Sequence, residues 1–207
     1  MTLLKVGVLV SGRGSNLEAI LKAVGSGVIK GAEVSVVISN MPDARALGVA
    51  RRYGVKAVGL PSEGVAREDY DGMLVEALRR HGVEPGKGLV LLAGYMKMLS
   101  KYFVELYQGR IMNIHPSLLP SFPGLNAQRQ ALEYGVKISG CTVHFVVPEV
   151  DAGPIILQKA VEIHRGDTEE TLALRILRQE HRIYPQAVKL FVEGRLKVEG
   201  RRTVAAR

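Results

Sequence analysis

Short apolar runs rich in valine, leucine and isoleucine alternate with stretches of helical spacing through the first half of the chain. "LLKVGVLVS" (3–11), "EVSVVIS" (33–39), "VKAVGL" (55–60) and "GLVLLAG" (88–94) read as strands. Between them, a segment near 15–26, "DARALGVARRYG" and "REDYDGMLVEALRRHG" have apolar spacing suited to helices. A strand apolar on both faces must be covered on both, and a β-α-β-α order does this with a parallel sheet and right-handed crossovers. The expected class is therefore α/β, with a doubly wound, mostly parallel sheet.

The pattern changes after about residue 138. "ISGCTVHFVVPEV" and "GPIILQKAVEI" are strand-like runs joined by "DAG", which predicts an antiparallel C-terminal extension. A last long helix is expected over about 168–193, with Thr168 as its cap and Glu169 and Glu170 complementing its positive end. Pro185 within it predicts a kink or a break. No clean linker separates the nucleotide-fold first half from the smaller mixed second part, so 1–207 is expected to form one domain.

Composition narrows the partners. An excess of 28 Lys+Arg over 20 Asp+Glu favours anionic partners such as phosphates, carboxylates or nucleic acid. The basic residues are scattered, apart from a cluster in "GRRTVAAR", and Trp is absent. No stacking platform for single-stranded nucleic acid is visible, which argues against a nucleic-acid partner. No apolar run approaches the roughly 18 residues needed to span a bilayer, so no membrane association is expected. The N-terminus reads as a first strand and not as a signal peptide. Cys141 stands alone, which excludes a disulfide framework and favours a reducing, cytoplasmic setting. It also argues against thiol-bound metal.

Three short motifs carry chemistry. "SGRGSN" (11–16) lies between the first strand and the first helix, where glycines and helix N–H groups suit an anion. It lacks the GK[ST] of a P-loop, and Leu17 stands where a dinucleotide fingerprint has its third glycine. It therefore suits a monophosphate cradle; the alternative is a tight turn with Ser15 or Asn16 capping the helix. "NIHPSLLP" (113–120) places Asn113 and His115 on one face if "RIMNI" is a strand. An asparagine amide and an imidazole there suit a developing oxyanion or a proton transfer; the alternative is a histidine satisfied at a strand end. "VPEVDAGPII" puts Asp151 in a glycine turn. Beside His115 its carboxylate would raise the imidazole pKa, although a turn aspartate commonly bonds its own backbone. Of the other histidines, His81 and His164 read as solvated, His181 follows Glu180 in a helix, and His144 alternates on a strand facing either the core or a site. No histidine or cysteine spacing suggests zinc.

These stretches resemble the glycinamide ribonucleotide formyltransferase family. The resemblance rests on "SGRGSN", "SNMPDARAL", "LAGYMKMLS", "GRIMNIHPSLLPSFPGL", "RQALEYG", "GCTVHFV", "DAGPIILQ" and "RQEHRIYP", in order over nearly the whole chain. It implies a Rossmann-like formyltransferase fold, with about 1–100 as the nucleotide-binding half and about 101–207 as the catalytic and folate-binding half. It also implies transfer of a formyl group from 10-formyltetrahydrofolate, without metal, to the glycyl amine of glycinamide ribonucleotide. By the same resemblance Asn113, His115 and Asp151 are the catalytic set. Asn113 and a protonated His115 hold the oxyanion, and Asp151 keeps His115 charged and positions a water that relays the proton. Gly14, Ser15, Asn16, Leu17 and Glu180 would bind the nucleotide. Arg67, Met96, Lys97, Met98, Leu99, Val147, Pro148, Glu149 and Val150 would bind the folate. Small-molecule substrates and a monomer or homodimer are implied. Related formyltetrahydrofolate deformylases share the Asn-x-His and Asp features but use water as acceptor. They carry an N-terminal regulatory domain, and methionyl-tRNA formyltransferases a C-terminal RNA-binding one; neither is expected here. The chain departs from the family at Asn126 and Gln128, where histidines are usual. Neither replacement can titrate.

Overall fold

The computed structural model describes residues 3–205. The chain divides into two compact units, with the boundary in sequence between Met112 and Asn113.

In the first unit, β1 (Leu4–Val10), β2 (Ala32–Ser39), β3 (Lys56–Gly59) and β4 (Leu89–Leu92) alternate with α1 (Ser15–Gly25), α2 (Arg45–Arg52) and α3 (Arg67–Arg80), and α4 (Lys101–Leu106) follows β4. The strands lie parallel in the order β3-β2-β1-β4. Val8, Leu9 and Val10 are fully buried in β1, as a central parallel strand requires. Truncating one such leucine to alanine costs ~2–5 kcal/mol. α3 packs so closely on β1 that a Cβ at Gly7 would lie 2.4 Å from Leu78 Cδ2. α1 lies beside α2, and α3 beside α4. The order in which successive strands are added reverses between β1 and β4, the place where ligands settle at the carboxyl ends of such strands.

β5 (Ile111–His115) carries the chain into the second unit. There α5 (Ala127–Tyr134) precedes β6 (Ile138–Phe145) and β7 (Ile155–Glu162), which pair antiparallel as expected. α6 (Glu169–Val192) packs across both strands. Thr168 caps it, in a reciprocal capping box with Thr171. Pro185 lies inside α6 and does not end it. A proline there costs roughly 3 kcal/mol. Burial of Leu172, Ile176, Ile183, Tyr184, Ala187 and Val188 along the same helix offsets that cost.

The terminal hairpin was not anticipated. β8 (Leu196–Glu199) pairs with β9 (Arg202–Ala205) through a two-residue turn, and Ile155 of β7 pairs with Arg202. Gly200 opens that turn at φ 59°, so a glycine-first hairpin signal was present between two short strands of mixed polarity.

Candidate active site

The loop after β1 is built by its glycines. Gly14 sits at φ 83° as the N-cap of α1, and a Cβ there would lie 2.7 Å from Ala46 Cα. Only glycine combines that backbone with that approach. No side chain caps α1, so neither Ser15 nor Asn16 takes the capping role considered from sequence; both lie within the first turn. A side chain at the cap would have used the amide groups that an anion needs. Ser11 bridges the loop ends: its Oγ donates to Asn40 Oδ1 at 2.6 Å and accepts from the Met96 amide at 2.8 Å. The Ser11 amide also donates to the Gly94 carbonyl at 3.0 Å. Leu17 is fully buried and anchors the helix start.

The segment holding Met96, Lys97, Met98 and Leu99 is tied down at its far end. The Ser100 amide donates to Asp71 Oδ2 at 2.5 Å, and Asp71 is fully buried in α3. Met96 and Met98 remain 70% and 52% exposed, so two long apolar side chains stand on the surface of a well-anchored turn. Lys97 does not extend freely, since its ammonium lies 4.9 Å above the Tyr70 ring. Arg67 is exposed at the first position of α3.

In the second unit β5 presents Asn113 and His115 two residues apart, on one face. His115 is buried. Its Nε2 lies 2.8 Å from the Phe122 carbonyl, which can only accept, so Nε2 carries a proton. Its Nδ1 faces Asp151 Oδ2 at 3.3 Å. Asp151 adopts φ 50°, a left-handed conformation aspartate tolerates, and its Oδ2 accepts the Gly124 amide at 2.8 Å. The turn thus aims the carboxylate inward and does not close on its own backbone. Asp151 and His115 are 36 residues apart in sequence, yet they pair directly.

Asn113 joins this pair through His144, a residue not among the expected catalytic groups. Nδ1 of His144 donates to the Phe145 carbonyl at 2.9 Å, so its Nε2 is free to accept from Asn113 Nδ2 at 3.3 Å. That Nε2 also lies 3.6 Å from Asp151 Oδ1. The signal for His144 lay in its own strand. Buried polar residues Thr142 and His144 alternate with Cys141, Val143 and Phe145 on β6, and a buried imidazole demands partners.

The electrostatics differ from expectation. Burial is the largest influence on His115 and lowers its pKa below the ordinary histidine value. The Phe122 carbonyl and Asp151 both pull it upward, as the pairing predicts, but together they do not overcome burial. Burial also pushes Asp151 upward, yet His144, the Gly124 amide and the charge on His115 outweigh it and leave the carboxyl below its usual range. Burial and the Asp151 carboxylate thus act on the His115 imidazole in opposite directions, and burial is the larger of the two.

Glu180 is buried on α6, near enough to β6 to contribute to the Cys141 thiol. Burial first, then that carboxylate, push the thiol up to about 12 and leave it inert. Val147 is half-buried, whereas Pro148, Glu149 and Val150 are exposed in the loop that leads to Asp151. Asn126 begins α5 at φ 57°, a conformation asparagine tolerates well.

A profile of the formyl transferase family matches residues 4–188. The chain is 45% identical over 192 residues to the phosphoribosylglycinamide formyltransferase of Escherichia coli (strain K12), covering 92% of this chain and 88% of that one. Among solved structures it is similar to glycinamide ribonucleotide transformylase 1 from Symbiobacterium toebii, with a TM-score of 0.94 and 52% identity over 99% of this chain and 95% of the other. A formyltetrahydrofolate deformylase from Pseudomonas syringae pv. tomato str. DC3000 has a TM-score of 0.91 at 26% identity, covering 100% of this chain and 67% of that one.

Proposed function

We propose a reaction for this chain from the premise that it belongs to the formyl transferase family. It moves the formyl group of 10-formyltetrahydrofolate to the glycyl amine of glycinamide ribonucleotide. The products are formylglycinamide ribonucleotide and tetrahydrofolate, a step of purine synthesis. The observation that carries the reading is the assembly of Asn113, His115 and Asp151 around His144 on one side of β5.

The chemistry follows from that geometry. The amine attacks the formyl carbon, the carbonyl becomes an oxyanion, and one amine proton must leave. Nε2 of His115 is committed to Phe122, so Nδ1 is its reacting edge. A neutral Nδ1 accepts the amine proton as the carbon–nitrogen bond forms. The charge of the resulting imidazolium is stabilised by the Asp151 carboxylate 3.3 Å away, and its one remaining donor, Nδ1–H, turns to the oxyanion. One N–H of Asn113 is directed at His144, which orients the amide and leaves its second N–H for the same oxygen. Each such donor contributes about 3 kcal/mol to the transition state. The proton then passes to the departing folate nitrogen as that bond breaks, and His115 returns to its neutral form.

In this reading the backbone at Gly14, Ser15, Asn16 and Leu17 holds the substrate phosphate, supported by the uncapped start of α1. Glu180 binds the nucleotide substrate. The apolar turn with Met96, Met98 and Leu99, the cations Arg67 and Lys97, and the loop with Val147, Pro148, Glu149 and Val150 serve the folate. Residues of about 1–100 and about 101–207 act as the nucleotide-binding half and the catalytic and folate-binding half of one domain, as monomer or homodimer. A cytoplasmic site of action is part of the proposal, supported by the lone, buried Cys141.

Formyl transfer assayed with and without glycinamide ribonucleotide tests the reading. Tetrahydrofolate should appear only with the nucleotide present. Formate release without it would instead assign the hydrolytic reaction, which the deformylase of the same fold makes the nearest rival. The lower identity to that enzyme, 26% against 52% and 45%, favours transfer.

A further inference from the structure

The loop that leaves β5 carries both the Phe122 carbonyl that binds His115 and the Gly124 amide that binds Asp151. Its early part is held by two side chains that the proposed chemistry does not use. Thr142 on β6 is fully buried, and its hydroxyl is saturated. It donates to the Ser117 carbonyl at 2.7 Å and accepts from the Leu119 amide at 3.0 Å and from Gln158 Nε2 at 3.0 Å. Gln158 also donates to the Leu119 carbonyl at 2.9 Å. Thr142 and Gln158 face each other in the β6–β7 register, so the antiparallel ladder itself sets this pair. The Ser117 hydroxyl donates onward to the Ser121 carbonyl, one residue before Phe122. Loop and sheet are in such close contact that a Cβ at Gly140 would lie 2.8 Å from Leu118 Cδ2.

We propose that Thr142 and Gln158 are positioning residues, a latch that holds residues 117–119 so that the Phe122 carbonyl meets His115. Phe122 stands at φ 55°, which a bulky side chain adopts only when its surroundings impose it. The two flanking anchors are the latch on one side and the Gly124–Asp151 bond on the other. With the latch gone, the loop relaxes toward an ordinary backbone and the carbonyl leaves Nε2. His115 then loses its fixed tautomer, and Nδ1 ceases to be its defined reacting edge. The proposal rests on the catalytic reading of His115, and its first readout does not depend on that reading.

Thr142→Val keeps the shape and removes all three hydrogen bonds; Thr142→Ser keeps them. In histidine-labelled protein, nitrogen NMR should show a hydrogen-bonded His115 Nε2–H in the wild type and in Thr142→Ser, and its loss in Thr142→Val. Formyl-transfer kcat should fall at least tenfold in Thr142→Val with KM for glycinamide ribonucleotide within twofold, and recover in Thr142→Ser. Gln158→Leu, at a mainly exposed position, provides the same comparison with a smaller loss if Thr142→Val does not fold. A folded Thr142→Val or Gln158→Leu variant with the Nε2–H signal intact overturns the proposal, whatever its melting temperature. If the wild type proves to transfer no formyl group, the signal still reports the latch, and only the catalytic reading fails.

Discussion

His115 donates from Nε2 to the carbonyl of Phe122 at 2.8 Å, and this single bond decides which edge of the imidazole remains for chemistry. A histidine with both edges open would exchange tautomers, and part of its population would present the wrong group. Tied at Nε2, it offers only Nδ1, and Asp151 stands beside that atom. Removing the ring removes both the proton acceptor and one oxyanion donor. His115→Ala is expected to lower kcat by ~10²–10⁴-fold. Substrate binding, read by calorimetry with the nucleotide alone, should be largely retained.

The pH dependence follows from the direction of the two shifts. His115 has a folded pKa below the ordinary histidine value of 6.5, so below that pH the unfolded chain binds more protons at this residue. Stability from this group is present above pH 6.5 and is lost as pH falls through its folded pKa. Asp151 acts in the same direction lower down: its share is present above 3.8 and is lost as pH falls through its own depressed value. Urea unfolding across the acid range should therefore weaken in the wild type, and His115→Asn should flatten the portion just below 6.5. Since the neutral ring is the working form, the acid limb of kcat/KM should also lie below 6.5. A limb above that value would reject a His115 base.

His144 meets the Asn113 amide at 3.3 Å, and in the proposed reaction it acts through that amide. His144→Ala should lower kcat by roughly 10–100-fold through misplacement of the amide. KM for both substrates should change far less, which steady-state kinetics would separate.

Gly14 has neither the backbone nor the space for a side chain, with Ala46 Cα 2.7 Å from the site of a Cβ. Gly14→Ala should destabilise by ~1–3 kcal/mol. It should also raise KM for the nucleotide more than KM for the folate. Equal effects on both would remove the phosphate assignment from this loop.

Thr168 caps the longest helix, which packs across β6 and β7. Thr168→Ala should cost ~1 kcal/mol, and Thr168→Ser much less. Urea midpoints would measure the difference, with kcat of the folded enzyme unchanged.

The parallel strands, most of the helices, the antiparallel pair β6–β7 and the Thr168 cap follow from local pattern, because period two, period 3.6 and capping chemistry act between near neighbours. The same periodicity put Asn113 and His115 on one face of β5. Shorter elements such as α4 and α5 escaped, as did the terminal hairpin, because a few residues of mixed polarity carry little period. Resemblance to a family supplied the role of Asp151, which no spacing could. Tertiary structure alone decided the rest. It set Asp151 at 3.3 Å from His115, inserted His144 between Asn113 and that carboxylate, and tied Nε2 to a loop carbonyl. It also reversed the expected direction of the His115 shift. The reason is physical: a charge's preference for a partner can be read from residue types, but the loss of water around it depends on everything folded against it.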